Sequence, residues 1–157
     1  RTQNNMTVEV ANLENVPEII ALCYQNFKET GENLPKPDTI KAVSSMSSFV
    51  NDGFAFVKKA ENGTIVGILV LIPFDFWWSE ETVLNTATMY VVPEYRDKNV
   101  FNELLEAAKE YADSNGVRLY SDILVEKDID QKDVLMRRKG FKKTGYIYKY
   151  QGSDLEE

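Results

Sequence analysis

The chain has 157 residues, 43% of them apolar, and its 18 basic and 25 acidic side chains leave a net charge of −7. That length suits one domain with a sizeable core. The absence of histidine excludes Ser-His-Asp and Cys-His catalysis and His-based zinc sites, and no metal site is expected. A single cysteine, Cys23, excludes an intrachain disulfide and fits a reducing, cytoplasmic setting. A net acidic chain is a poor partner for nucleic acid, whose phosphates call for clustered Lys and Arg.

Residues 65–72 form the longest apolar run before Pro73, enough for a buried strand and too short for a bilayer span. Residues 1–5 carry no apolar segment of a signal peptide and read as a leader before Met6. The domain is expected over 6–151, with a polar tail at 152–157. In chain order, residues 7–11 read as a strand. Asn15 is placed to cap a helix, with Pro17 in its first turn and Glu18 as its capping-box partner. Val16, Ile19, Ile20, Cys23 and Phe27 share one face of that helix, so Cys23 belongs to the core as an inert thiol.

A second helix is expected over 38–50, a strand over 54–59, an Asn62-Gly63 turn and a return strand over 64–72. The connection 73–81 holds Phe74, Phe76, Trp77 and Trp78. A long strand over 82–92 stops at Pro93. A helix over 100–115 follows, with Phe101, Leu104, Leu105, Ala108, Tyr111 and Ala112 on its apolar face and Gly116 at its end. A strand over 117–125, a helix over 129–139 and a last strand over 141–150 complete the chain. Tyr146, Tyr148 and Tyr150 alternate onto one face of that last strand.

The chemically informative stretch is Met89-Tyr90-Val91-Val92-Pro93-Glu94-Tyr95-Arg96-Asp97-Lys98-Asn99-Val100-Phe101. It is a strand, a break, a loop and a helix N-terminus, whose unpaired N–H groups and dipole favour an anion. Arg96 and Lys98 add positive charge there. No glycine lies between Gly67 and Gly116, so this is neither a Walker loop nor a Rossmann fingerprint.

This stretch resembles the central motif of the GNAT (GCN5-related) N-acetyltransferases: a strand, then V-x-P-x-[YF]-R, then a loop opening a long helix. The element order is also that of the family, and residues 135–146 resemble its closing L-Y-E-K-x-G-F segment. The resemblance implies a single-domain α/β GNAT-like fold, a mixed, mostly antiparallel sheet of about six strands with about four helices. It implies acetyl-CoA as co-substrate, its pantetheine arm along the backbone of Tyr90, Val91 and Val92. Its pyrophosphate would lie on the amides of Arg96, Asp97, Lys98, Asn99, Val100 and Phe101. A direct attack by an acceptor amine would follow, the oxyanion held by a strand N–H.

Three positions depart from the family pattern. Asn99 stands at the first loop glycine, Phe101 at the second small residue, and Met136 at the frequent tyrosine that protonates the leaving thiolate. Tyr24 and Tyr120 are alternative acids. As general base, Asp122 in the fifth strand is the nearer carboxylate, with a solvent-facing edge as its other reading. Glu81, eight positions before Met89, reaches the site only through a folded-back loop or a chain of waters.

Phe76, Trp77 and Trp78, with Asp75, Glu80 and Glu81, would receive a cationic amine, or else pack at a homodimer contact. Residues 94–143 are balanced at eleven charges of each sign, so the acidic excess lies on the elements framing the acceptor. Two functions follow: an N-acetyltransferase acting on a small-molecule or protein amine, or a catalytically silent module of the same fold that binds CoA or a protein partner.

Overall fold

The computed structural model describes residues 8–32, 34–124 and 127–150. The leader expected at 1–5, the tail expected at 152–157 and the end of the fifth strand at Val125 lie outside them. Five strands form one sheet in the order β1 (Val8–Val10), β2 (Ala55–Lys59), β3 (Ile65–Asp75), β4 (Thr82–Val91), β5 (Leu119–Ser121). All neighbours are antiparallel except β4 and β5, which run parallel.

Helices α1 (Val16–Thr30) and α2 (Thr39–Asn51) cover one face. Ile19, Met46, Val57, Ile68 and Val70 pack together there. Helix α3 (Val100–Asn115) covers the other, where Phe56, Leu69, Leu84, Val91, Leu104 and Leu105 form a second cluster. Helix α4 (Ile129–Arg138) adds Met136 to that cluster. Among the described residues, no helix is long and apolar enough to cross a membrane.

Local chemistry accounts for most element ends. The cap before α1 lies one turn earlier than expected: Asn12 accepts from the Glu14 amide, and the Asn15 side chain accepts from the Asn12 amide. Glu18 is free of capping duty and instead accepts the Ile65 N–H at 2.8 Å, fastening α1 to the start of β3. The β2–β3 turn takes positive φ at Gly63 (+88°) and not at Asn62, whose side chain accepts the Thr64 N–H. Gly116, at φ +64°, ends α3 in the left-handed conformation.

Two features position the site. At Gly67 an added Cβ would come within 2.7 Å of a Val100 methyl and 3.0 Å of Leu104, so the missing side chain lets the first turns of α3 rest on β3. The ladder also breaks between β3 and β4, where Val70 pairs with Thr88 and Leu71 with Thr86, leaving Ala87 as the extra residue of a bulge. The bulge reverses which residues of β4 face which layer. Tyr90 and Thr88 face the α1/α2 side, Thr86 faces α3, and Asn85 returns to the α1/α2 side.

The last expected strand does not form. Residues 141–150 join no strand, and 142–150 are exposed throughout. Phe141 packs against the α3-side cluster after Gly140 turns the chain at φ +93°, and Lys143 then pairs with Asp133 of α4 at 3.3 Å. Alternation makes a segment fit for a half-buried ladder, and among the described residues no strand pairs with it. Among the described residues the sheet therefore has five strands where about six were expected. The fifth is shorter than expected, ending at Ser121, so Asp122 lies just beyond it.

Candidate active site

Strand β5 pairs with β4 only over Leu84–Thr86. Beyond it, β4 has β3 on one side and an open edge on the other. Val92 donates to the Val66 carbonyl at 2.9 Å, so Val92 and, two residues back, Tyr90 belong to hydrogen-bonded pairs with β3. Alternation then turns the backbone groups of Met89 and Val91 toward the open edge. Of the three residues expected to pair with an extended ligand, Val91 presents its N–H, and Met89 joins it in place of Tyr90 and Val92. The Val91 carbonyl accepts the Arg96 Nε at 2.8 Å.

That edge runs directly into the loop before α3. Asn99 adopts φ +68°, ψ +10°, the left-handed conformation that glycine and asparagine tolerate best, so the loop keeps its shape without glycine. No side chain caps α3, and its first intrahelical bond is Glu103 N–H to the Asn99 carbonyl at 3.1 Å. The amides of Val100, Phe101 and Asn102 therefore face outward at the positive end of the helix. Val100 is buried and Phe101 packs into the α3-side cluster, so neither side chain crowds those amides. Lys98 and Asp97 stand exposed beside them, their charged atoms 3.9 Å apart.

Arg96 points the other way. Its guanidinium bonds Glu29 at 2.8 Å and lies 5.3 Å from the centre of the Tyr90 ring. The Tyr90 hydroxyl also donates to Glu29. Burial, then the neighbouring carboxylate, pushes the Tyr90 phenol up to about 12. The Tyr90 hydrogen bond and then Arg96 hold Glu29 below the usual carboxylate range. This triad ties the last turn of α1 to the end of β4. It was missed in the sequence, where the signal was a carboxylate in the last turn of a helix, at the wrong end of the dipole.

At the other end of β4, on the α1/α2 side, Phe74 and Phe76 lie 5.4 Å apart between ring centres, and Tyr120 lies 6.1 and 6.3 Å from them. Trp78 stacks on Phe76 at 4.8 Å, and Trp77 meets Trp78 edge-on. Trp77 is 91% exposed and Trp78 65%, so the loop forms an open aromatic patch. Strand β3 reaches further into this connection than expected, pairing Phe74 with Val83 and Asp75 with Thr82. Glu80 is exposed beside the patch.

Asp122 is exposed and accepts from the Asn85 amide nitrogen at 2.8 Å. The Asn85 Oδ1 is buried and has no partner among the described residues. Glu81 bonds Arg118 at 2.7 Å, fastening the loop to the entry of β5. It stands at the far end of an extended strand, about 26 Å from Met89 at 3.3 Å per residue.

Cys23 is pushed up to about 11 by burial, an unreactive thiol in the α1-side core. Met136 is buried against α3. Tyr24 shares its hydroxyl with Thr39 at the start of α2. Among the described residues, no group of three or more Cys, Asp or Glu side chains is arranged to hold a metal ion.

The fold aligns with an aminoglycoside acetyltransferase, AAC(6')-Iy, in complex with the bisubstrate analogue CoA-S-monomethyl-acetylneamine. The TM-score is 0.72 at 18% identity, covering 94% of this chain and 98% of that one. It also aligns with AAC(6')-Ih from Acinetobacter baumannii (TM-score 0.68, 13% identity, 94% and 97% covered). A further match is the integron cassette protein HFX_CASS3 from a salt-marsh metagenome (TM-score 0.70, 21% identity, 96% and 92% covered). No curated protein sequence matches. Residues 14–141 match the Acetyltransferase (GNAT) family, and the chain belongs to it.

Proposed function

We propose that this protein is an acetyl-CoA-dependent N-acetyltransferase in which a primary amine of a small, polar, amine-rich molecule, having lost its proton, attacks the acetyl thioester directly and CoA leaves as the thiol. The observation that carries the reading is the open edge of β4 leading into the uncapped N-terminus of α3. It offers peptide groups of alternating spacing followed by a cluster of outward amides. These fit an extended amide-bearing arm that ends in a pyrophosphate, and acetyl-CoA supplies the activated acetyl thioester.

Met89 and Val91 would orient the arm through their backbone groups, and a β4 N–H would hold the carbonyl oxygen as negative charge grows on it. The amides of Val100, Phe101 and Asn102, with Lys98, would bind the phosphates. Arg96 is a positioning residue: it fixes the loop through Val91 and Glu29.

The acceptor half is built from side chains. Asp122, held by Asn85, would take the proton of the attacking amine, while the aromatic patch and Glu80 would draw a cationic acceptor toward it. Glu81 holds the loop through Arg118. Two solved neighbours carry the aminoglycoside class in their names, and one was solved with an acetylneamine bisubstrate analogue, which supports a polyamine-like acceptor.

Thermal unfolding with acetyl-CoA, CoA and ATP tests the cofactor half. A ligand at 100 times its Kd stabilises by about 2.7 kcal/mol, a shift of several degrees at this size. Release of CoA thiol with aminoglycosides, polyamines and peptide amines tests the acceptor half. No shift with either CoA species overturns the proposal. A shift without turnover on any amine supports the second reading, a silent CoA-binding module, which the buried Met136 at the acid position favours.

A further inference from the structure

Lys58 is a charge buried in the middle of the sheet. It is 5% exposed and lies on β2 directly opposite Gly67 of β3, the bare position on which Val100 and Leu104 of α3 rest. Its ammonium stands 3.1 and 3.2 Å from the two carboxylate oxygens of Glu103, the acidic side chain in the first turn of α3. A buried ion pair is often no better for stability than well-packed apolar residues of the same volume, so its value here lies elsewhere.

The pair decides where Glu103 points. Side chains on a helix lean toward its N-terminus, so a residue at 103 overlies the turn of Asn99 and Val100. A carboxylate in that place is drawn to unpaired amides and to the positive end of the helix. α3 offers both, because no side chain caps it. Left to itself, Glu103 would turn its own carboxylate onto the amides assigned above to the phosphates and repel an arriving anion. Lys58 draws both oxygens down to the sheet instead, and the leading amides stay open.

We propose that Lys58 is a positioning residue for the cofactor: by holding Glu103 against the sheet, it keeps the N-terminus of α3 open to the phosphates of acetyl-CoA. The inference rests on the phosphate site proposed above and adds to it a residue that touches no ligand. The Glu103 side chain remains 36% exposed, so it can turn back once its partner is removed.

Titration calorimetry with acetyl-CoA, below the melting range, reads the inference. Lys58→Met releases Glu103 and should weaken binding about 10-fold, the scale of a carboxylate acting at a helix N-terminus. Glu103→Gln strands a buried ammonium without a counter-charge, so it should melt lowest of the set and yet bind as the unaltered protein does. Lys58→Met combined with Glu103→Gln should recover the affinity that Lys58→Met loses, and Lys58→Arg should keep it.

Affinity that follows stability, with Glu103→Gln the weakest binder, overturns the inference. A Lys58→Met protein that binds normally, or a double variant that stays weak, does the same. Where Lys58→Met is not native by circular dichroism, Lys58→Gln takes its place with the same loss expected. An unaltered protein that does not bind acetyl-CoA overturns the cofactor reading and this inference with it; binding that ignores every one of these substitutions overturns this inference alone.

Discussion

The two ends of β4 are built from different materials. At its C-terminal end the strand offers backbone: the amides of Met89 and Val91 on an open edge, then the first amides of α3. At its N-terminal end the strand is closed by β5 and offers side chains: Asn85 with Asp122, and the rings of Phe74, Phe76, Trp78 and Tyr120. A backbone site survives substitution if the chain path is kept, and the left-handed Asn99 and the inward Phe101 leave the proposed cradle clear. A side-chain site has no such tolerance, and its specificity can change one residue at a time.

The most severe break should come from Gly67→Val, which drives a branched side chain into Val100 and Leu104 and pushes the start of α3 off β3. Overpacking of this kind costs about 1–3 kcal/mol. At this chain length that lowers Tm by roughly 2–12 °C. The acetyl-CoA shift should vanish with it, and scanning calorimetry with and without acetyl-CoA reads both.

Next, Asp122→Asn should lower kcat/KM about 100-fold, in the range of a lost general base. Acetyl-CoA binding should be unchanged, and Glu81→Gln should leave turnover nearly intact. If the two substitutions cost the same, the acceptor end has been misread.

The Glu29–Tyr90–Arg96 triad ties the C-terminal end of β4 to α1, and pH separates it from both ends. Because the Glu29 carboxyl lies below its ordinary value, its stabilisation is present above the usual glutamate range and is lost as pH falls through the lowered value. Glu29→Gln should therefore melt below the unaltered protein at neutral pH, and the gap should close in acid. A gap that is constant with pH would show that the carboxylate charge is not what the triad uses.

The mildest expected effect is at the exposed patch. Trp78→Ala should raise KM for a cationic acceptor by about 2- to 10-fold, the scale of one aromatic contact, with kcat and the acetyl-CoA shift held.

What could be read in the sequence follows the same division. The strand–loop–helix around residues 89–101, the apolar face of α3 and the Gly116 stop are local, each set by residues within a turn or two of one another. The β2–β3 turn was legible in place and not in detail, since Gly63 alone takes the positive φ. The proposed acceptor end depends on one inserted residue, Ala87, which reverses the faces of β4 and brings Asn85 instead of Thr86 to the α1/α2 side. Nothing in the alternation of residues 82–92 marks that reversal.

The pairing of the Arg96 guanidinium with Glu29 could not be read in the sequence, because the two residues are 67 positions apart. The tyrosines of residues 146–150 read as a strand because alternation reports a local pattern and not whether a sheet edge runs beside it.

The contact between Lys58 and Glu103 has a consequence for how the cradle is assembled. Lys58 lies on the α3 face of β2, 5% exposed, with its ammonium 3.1 Å from the Glu103 carboxylate in the first turn of α3. Were α3 to dock one turn out of register, the ammonium would remain among apolar neighbours with no counter-charge, and a buried charge stripped of its partner costs about 3–5 kcal/mol. The correct docking gains little from the pair, while a shifted one is heavily penalised. The pair acts as a proofreading contact: it discriminates against misplacement of the helix whose leading amides form the proposed phosphate site.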